Sequence, residues 1–96
     1  MPKAYWIARV DVHDPDRYPE YIETARPAME RHGARFLVRG GAAAPLEGAC
    51  RQRNVVVEFP SMAEARACYE SAEYQAGRRI RQAASEGELV LVEGVE

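Results

Sequence analysis

The sequence predicts an α+β domain, and three observations predict it. Apolar alternation of period two, or a short β-branched run, occurs at residues 4–12, 34–39, 53–59 and 88–95, with helical stretches after the first and third of these. The resulting order of strand, helix, strand, strand, helix, strand is the ferredoxin-like βαββαβ arrangement of a four-stranded antiparallel sheet. Right-handed crossovers leave few other ways to join these elements, and they place the first and third strands centrally. Finally, Val55-Val56-Val57 and Leu89-Val90-Leu91-Val92 are apolar on both faces, although a sheet with one wet face shows clean alternation. Helices can cover only one face, so a second copy of the chain, packed sheet to sheet about a two-fold axis, is expected on the other.

Each element has its own signal. In strand 4–12, Trp6, Ala8, Val10 and Val12 form one face and Tyr5, Ile7, Arg9 and Asp11 the other. Asp14-Pro15 reads as a helix cap followed by proline at the first helical position. Tyr18, Tyr21, Ile22, Ala25, Met29 and His32 then share one helical stripe. Pro27 lies inside that stripe, and a break near Arg26 is expected because proline lacks the backbone donor. Gly33 ends the helix. Strand 34–39 opens into a loop from Gly40 to Ala49, and Pro60 closes strand 53–59. Ser61-Met62-Ala63-Glu64 is a capping box, and Met62, Ala65, Cys68, Tyr69 and Ala72 form the stripe behind it. Ser71 reads as a second cap, starting a helix that runs to about Ser85. This helix turns Tyr74, Gly77 and Ile80 inward and Arg78, Arg79 and Arg81 mostly outward. The last strand is 88–95.

At 96 residues the chain is one domain. A chain so short has a thin core, so burial against a partner adds materially to it. A net charge of −2 argues against nucleic acid or an anionic membrane as partner, and three arginines in one helix do not make a basic domain without interleaved aromatic platforms. No apolar run approaches the ~20 residues a membrane span needs, and the first residues lack a signal pattern. Cys50 and Cys68 have neither metal-ligand spacing nor a disulfide framework, which reads as two reduced thiols in a cytoplasmic protein. Lys3 is the only lysine among 13 basic residues, the usage of a high-GC bacterial coding sequence. Gly40-Gly41 is not a phosphate loop, because no Lys-Ser/Thr pair or helix comes after it.

Several segments together resemble one family. They are Ala8-Arg9-Val10, Asp14-Pro15 with Tyr18 and Tyr21, His32-Gly33, Phe36-Leu37-Val38-Arg39-Gly40-Gly41, Glu47-Gly48, Val57-Glu58-Phe59-Pro60, Ser71 with Tyr74, and Leu89-Val90-Leu91-Val92-Glu93-Gly94. The combination is similar to the bacterial domain-of-unknown-function 1330 family of the dimeric α+β barrel superfamily, over essentially the whole chain. Tyr69 stands where the family often has Trp. The resemblance implies a ferredoxin-like protomer whose sheet packs on a partner's to close a barrel, and it implies no assigned reaction. Superfamily relatives include cofactor-free monooxygenases, lactone isomerases and haem enzymes, and fold alone does not choose among them.

Strand parity gives the candidate site residues. Arg9, Arg39 and Glu58 are expected on the face opposite Trp6, Phe36 and Val57, with Glu58 between the two arginines. Such a group either holds a carboxylate, enolate or phenolate or forms a structural ion pair in the dimer interface. His32 is a general-base candidate or, less directly, a haem ligand. Otherwise it is a helix-end histidine bonded to a nearby carbonyl. Tyr69 and Tyr74 are candidates to line a pocket, the alternative being core phenols with satisfied hydroxyls. No metal and no cofactor is expected. Two functions remain open: a homodimer with a small-molecule pocket doing acid/base chemistry on a small carbonyl or phenolic compound, and a non-enzymatic dimeric ligand-binding or interaction module.

Overall fold

A computed structural model of the chain describes residues 2–95, with Met1 and Glu96 outside them. Its elements are β1 (Ala4–Val12), α1 (Tyr18–Arg31), β2 (Arg35–Arg39), β3 (Arg53–Phe59), α2 (Met62–Glu70), α3 (Ala72–Ala84) and β4 (Ser85–Glu93). The strands form one antiparallel sheet in the order β2-β3-β1-β4, so β1 and β3 are central as expected. The helices pack on one face of it. Ala4, Trp6, Val57 and Phe59 of the sheet meet Ala25, Ala28 and Met29 of α1, Ala65 and Cys68 of α2, and Tyr74 of α3. Burial raises the Cys68 thiol to about 12 and keeps it protonated. Cys50 is exposed in the loop.

The caps explain where the helices begin. Ser61 Oγ accepts from the Glu64 N–H (3.1 Å) and Ser71 Oγ from the Tyr74 N–H (3.3 Å). Ser71 is also extended, at φ −66° and ψ 151°, and this splits α2 from α3. The start of α1 differs from expectation. Asp14 begins a turn rather than the helix: its Oδ1 accepts from the Arg17 N–H, and α1 starts at Tyr18 with Pro19 in its first turn. The expected break near Arg26 is absent, and α1 is continuous through Pro27. Pro27 and Glu23 are both exposed, so the carbonyl that Pro27 cannot serve belongs to a residue open to water. Ala72, expected on the buried stripe, is exposed.

The sheet has one irregularity, in β2. Phe36 pairs with Val57 and Val38 with Val56, so Leu37 is an extra residue in that strand. This bulge puts Leu37 and Val38 together on the outer face and returns Arg39, opposite Val55, to the helix-facing side. On the outer face Val38, Val56, Ile7 and Val90 form one apolar row across all four strands. Val90 is half exposed in the single chain, and Leu37, Val38 and Val92 are also open.

Candidate functional site

Between α1, α3 and the sheet lies a cleft of about 250 Å³. Its floor is the apolar parity of β1 and β3: Trp6, Ala8, Val10, Val55 and Val57. Phe36 of β2 faces the same side yet is 37% exposed, and every residue of β2 is exposed, so the cleft opens toward that edge strand.

Three arginines turn into this cleft from two walls. Arg39 reaches it through the Leu37 bulge, and its guanidinium lies 4.0 Å from the centroid of the Phe36 ring. Arg53 reaches it by alternation with Val55 and Val57. Its guanidinium sits 5.4 Å from the centroid of the Tyr18 ring, and its buried Nε has no hydrogen-bond partner. Gly40 makes room for it: φ is +72°, and a Cβ there would strike the Arg53 guanidinium. Arg81 comes from α3, is only 8% exposed, and lies 5.5 Å from the centroid of the Tyr21 ring. Among the described residues none of these three makes an ion pair. A fourth lining arginine, Arg26, is tied to Glu23 at 2.8 Å, and Glu30 is the lining acid. A guanidinium as enclosed as Arg81 is expensive without a counter-charge.

Phenols complete the inner end. The Tyr21 and Tyr74 hydroxyls are 3.0 Å apart, and Tyr74 is 1% exposed. Burial raises both phenols above their ordinary range, and the Arg81 charge opposes that rise. Rings of Trp6, Tyr69 and Tyr74 pack edge to face or tilted, with Trp6 to Tyr74 at 4.9 Å and Tyr69 to Tyr74 at 5.4 Å. The arrangement can receive an anion and present one free hydroxyl donor to it.

Of the residues expected from the sequence, Arg39 and Tyr74 line the cleft. The structure separates Arg39 from Glu58, correcting their expected pairing, because the bulge reverses the parity of β2. Glu58 stays on the outer face with Lys3 Nζ at 3.3 Å and the Tyr5 hydroxyl at 3.5 Å. Arg9 is also on the outer face, opposite Asn54 and Glu88, away from the cleft. His32 caps α1, and its Nδ1 lies 2.9 Å from Glu64 Oε2, also away from the cleft. The partner of its ring is therefore a carboxylate rather than a carbonyl. Tyr69 lies behind Trp6, on a shallow depression with Arg66, Leu89 and Leu91. The expectation of an outer-face acid between two arginines is inverted: Arg51 spans two acids, with Nη1 2.8 Å from Asp11 and Nη2 2.6 Å from Glu88.

Sequence reasoning misses Arg53 and Arg81 as site residues, although signals for both exist. Arg53 shares parity with Val55 and Val57. Arg81 stands seven residues after Tyr74 and four after Gly77, on the inward stripe, so its assignment outward is corrected. Among the described residues no group of three or more His, Cys, Asp or Glu side chains gathers to hold a metal, and no helix is long and apolar enough to cross a membrane.

Residues 3–95 match the family described as Domain of unknown function (DUF1330). The chain belongs to that family. No curated protein matches it. Several solved structures share the DUF1330 chain's fold. A protein of unknown function from Rhodopseudomonas palustris is 20% identical at a TM-score of 0.81, covering 99% of this chain and 84% of that one. SnoaB, a cofactor-independent oxygenase from Streptomyces nogalater, is 13% identical at a TM-score of 0.64, covering 100% and 96%. A dimeric protein of unknown function and ferredoxin-like fold from Bacteroides fragilis is 12% identical at a TM-score of 0.57, covering 98% of both. At these identities the likeness shows the fold, a four-stranded antiparallel ferredoxin-like sheet, and the Bacteroides fragilis protein with that fold is dimeric.

Proposed function

We propose that this DUF1330 protein is a homodimer that binds a small organic anion in the cleft of each protomer. Its own side chains carry out acid/base chemistry there on a small carbonyl or phenolic compound. The observation that carries the reading is the set of three arginines, Arg39, Arg53 and Arg81, without ion pairs among the described residues and turned toward one cleft whose inner end holds two hydrogen-bonded phenols. Arginine forks match carboxylate and oxyanion geometry, and the low-dielectric interior strengthens each such contact. Arg39 and Arg53 would hold the ligand at the open edge, and Tyr74, kept protonated by its burial, would donate a proton or a hydrogen bond at the inner end. The outer apolar row Val38–Val56–Ile7–Val90 supports self-association, as does the dimeric Bacteroides fragilis relative. A sheet-to-sheet interface of this kind buries roughly 1,600 Å² or more.

Native mass spectrometry of the purified protein tests the reading. A dimer carrying one small acidic molecule per protomer is expected. Arg53→Met should release that molecule without unfolding the protein. A dimer that never retains or binds any organic anion would overturn the reading.

A further inference from the structure

The arginines are not equivalent, and their difference bears on the ligand's class. Arg39 and Arg53 come from adjacent sheet strands and face the cleft near its open β2 edge, where Arg39 is exposed. Arg81 comes from the opposite, helical wall and is enclosed. The groups facing Arg81 are the phenols Tyr21 and Tyr18 of α1 and Tyr74 of its own helix, and Arg53 and Arg39 lie across the cleft. Glu30, the lining acid, belongs to an exposed residue and makes no ion pair with any of them.

A carboxylate is strongly hydrated and costly to enclose, so it is best received at the wet edge, where two planar forks can share it. A delocalised oxyanion costs less to bury, and it suits the enclosed Arg81 beside two phenols. Each phenol has one donor, and the Tyr21–Tyr74 bond consumes one of the two. One O–H is therefore free to donate to a single oxygen. The volume of about 250 Å³ lies below the range usual for drug-sized ligands and suits one substituted ring over a flat apolar floor.

We propose that the cleft takes a flat phenolic or enolic carboxylate, with its weakly acidic oxygen held as an anion by Arg81 beside Tyr21 and Tyr74 and its carboxylate held by Arg39 and Arg53. The ligand's phenolic or enolic proton is lost to solvent on binding. This rests on the cleft being a ligand site and goes further in naming the class of ligand and a separate task for Arg81.

The test uses the purified native chain and three probes: hydroxynitrobenzoate and nitrophenol, which are coloured as phenolates, and nitrobenzoate, which lacks the phenol and is followed by calorimetry. The nitrophenolate absorbance reports ionisation of the bound probe. Hydroxynitrobenzoate should bind at least about tenfold tighter than either parent, and when bound should ionise at a pH at least about one unit below its free value. Arg81→Met should abolish the ionisation shift and keep the preference for a carboxylate. Arg53→Met should do the reverse. A purely structural Arg81 would change the melting temperature and leave the probe's titration unmoved. Should Arg81→Met fail to fold, Arg81→Lys keeps the charge, and the shift should survive with weaker binding. Equal binding of hydroxynitrobenzoate and nitrobenzoate, or a bound probe that titrates like the free one, would overturn the proposal. If no probe binds but native mass spectrometry finds a different kind of molecule in the cleft, the ligand class is wrong and the ligand site stands. If neither finds a ligand, both fall.

Discussion

Arg39 owes its place to a single neighbouring residue. Regular alternation would place it beside Glu58 on the outer face. The extra residue at Leu37 instead stacks it on Phe36 at the cleft. Because Arg39 and Glu58 are on opposite faces, Arg39→Met and Glu58→Gln should be additive in denaturant melts, with a coupling below about 0.5 kcal/mol. Arg39→Met alone should change stability by about 0.5 kcal/mol or less, since Arg39 is exposed and makes no ion pair among the described residues. A large loss in the single variant, rescued by the double, would mean that the two side chains meet. Glu73 offers a pH test at the same scale. The bidentate Arg31 guanidinium, with both contacts at 2.9 Å, lowers the Glu73 carboxyl to about 2 from an ordinary 4.5. A depressed folded-state value means that the stabilisation is present above about 4.5 and is lost as pH falls toward about 2. Glu73→Gln should flatten that part of the acid limb in thermal melts, and an unchanged limb would leave the pair without a role in stability.

Among the elements, the contact between α1 and α3 sets the inner end of the cleft. Gly77 permits it: a Cβ at Gly77 would sit 3.3 Å from the Ala25 Cβ and 3.3 Å from Tyr21 Cδ1. Gly77→Val should push α1 away from α3, lengthen the Tyr21–Tyr74 hydrogen bond and cost about 1–3 kcal/mol by overpacking. Tyrosine fluorescence and denaturant melts would show it, and wild-type stability with an unchanged spectrum would mean the helices have slack. One turn beyond Gly77 on the same stripe, the Arg81 guanidinium lies 5.5 Å from the centroid of the Tyr21 ring. Caps at Ser61 and Ser71, by contrast, are local, and the sequence signals at both positions match the observed hydrogen bonds.

The whole molecule presents one sheet face to the helices and leaves the other with an apolar row at its centre. Val90 tests whether a second copy covers that row. It is half exposed in the single chain, so Val90→Glu should be nearly neutral, within about 0.5 kcal/mol, if the protein works alone. In a sheet-to-sheet dimer it would place two like charges near a buried two-fold seam and dissociate it. Light scattering at micromolar concentration should give a dimer mass for the wild type and a monomer mass for the variant. A wild-type monomer would remove the second copy from the proposal.

The range of each interaction decides what is legible in the sequence. The element order, the central position of β1 and β3, both serine caps, the buried Cys68 and the apolar outer face are legible, because alternation, stripes and caps are set by neighbours a few residues apart. Tyr74 and Arg39 stand out as candidates, but Arg39 with the wrong partner. The continuity of α1 through Pro27 depends on that proline facing water, which local propensity does not encode. The sequence by itself determined the layers and the face of every regular strand. Only the tertiary structure decided which charges meet. A bulge is a pairing event between β2 and β3, not a property of either, and one extra residue reverses every side chain beyond it. The place of Arg81 on the inward stripe is readable from its spacing to Tyr74 and Gly77, whereas its enclosure against the Tyr21 ring of α1 is a contact between residues far apart in the chain.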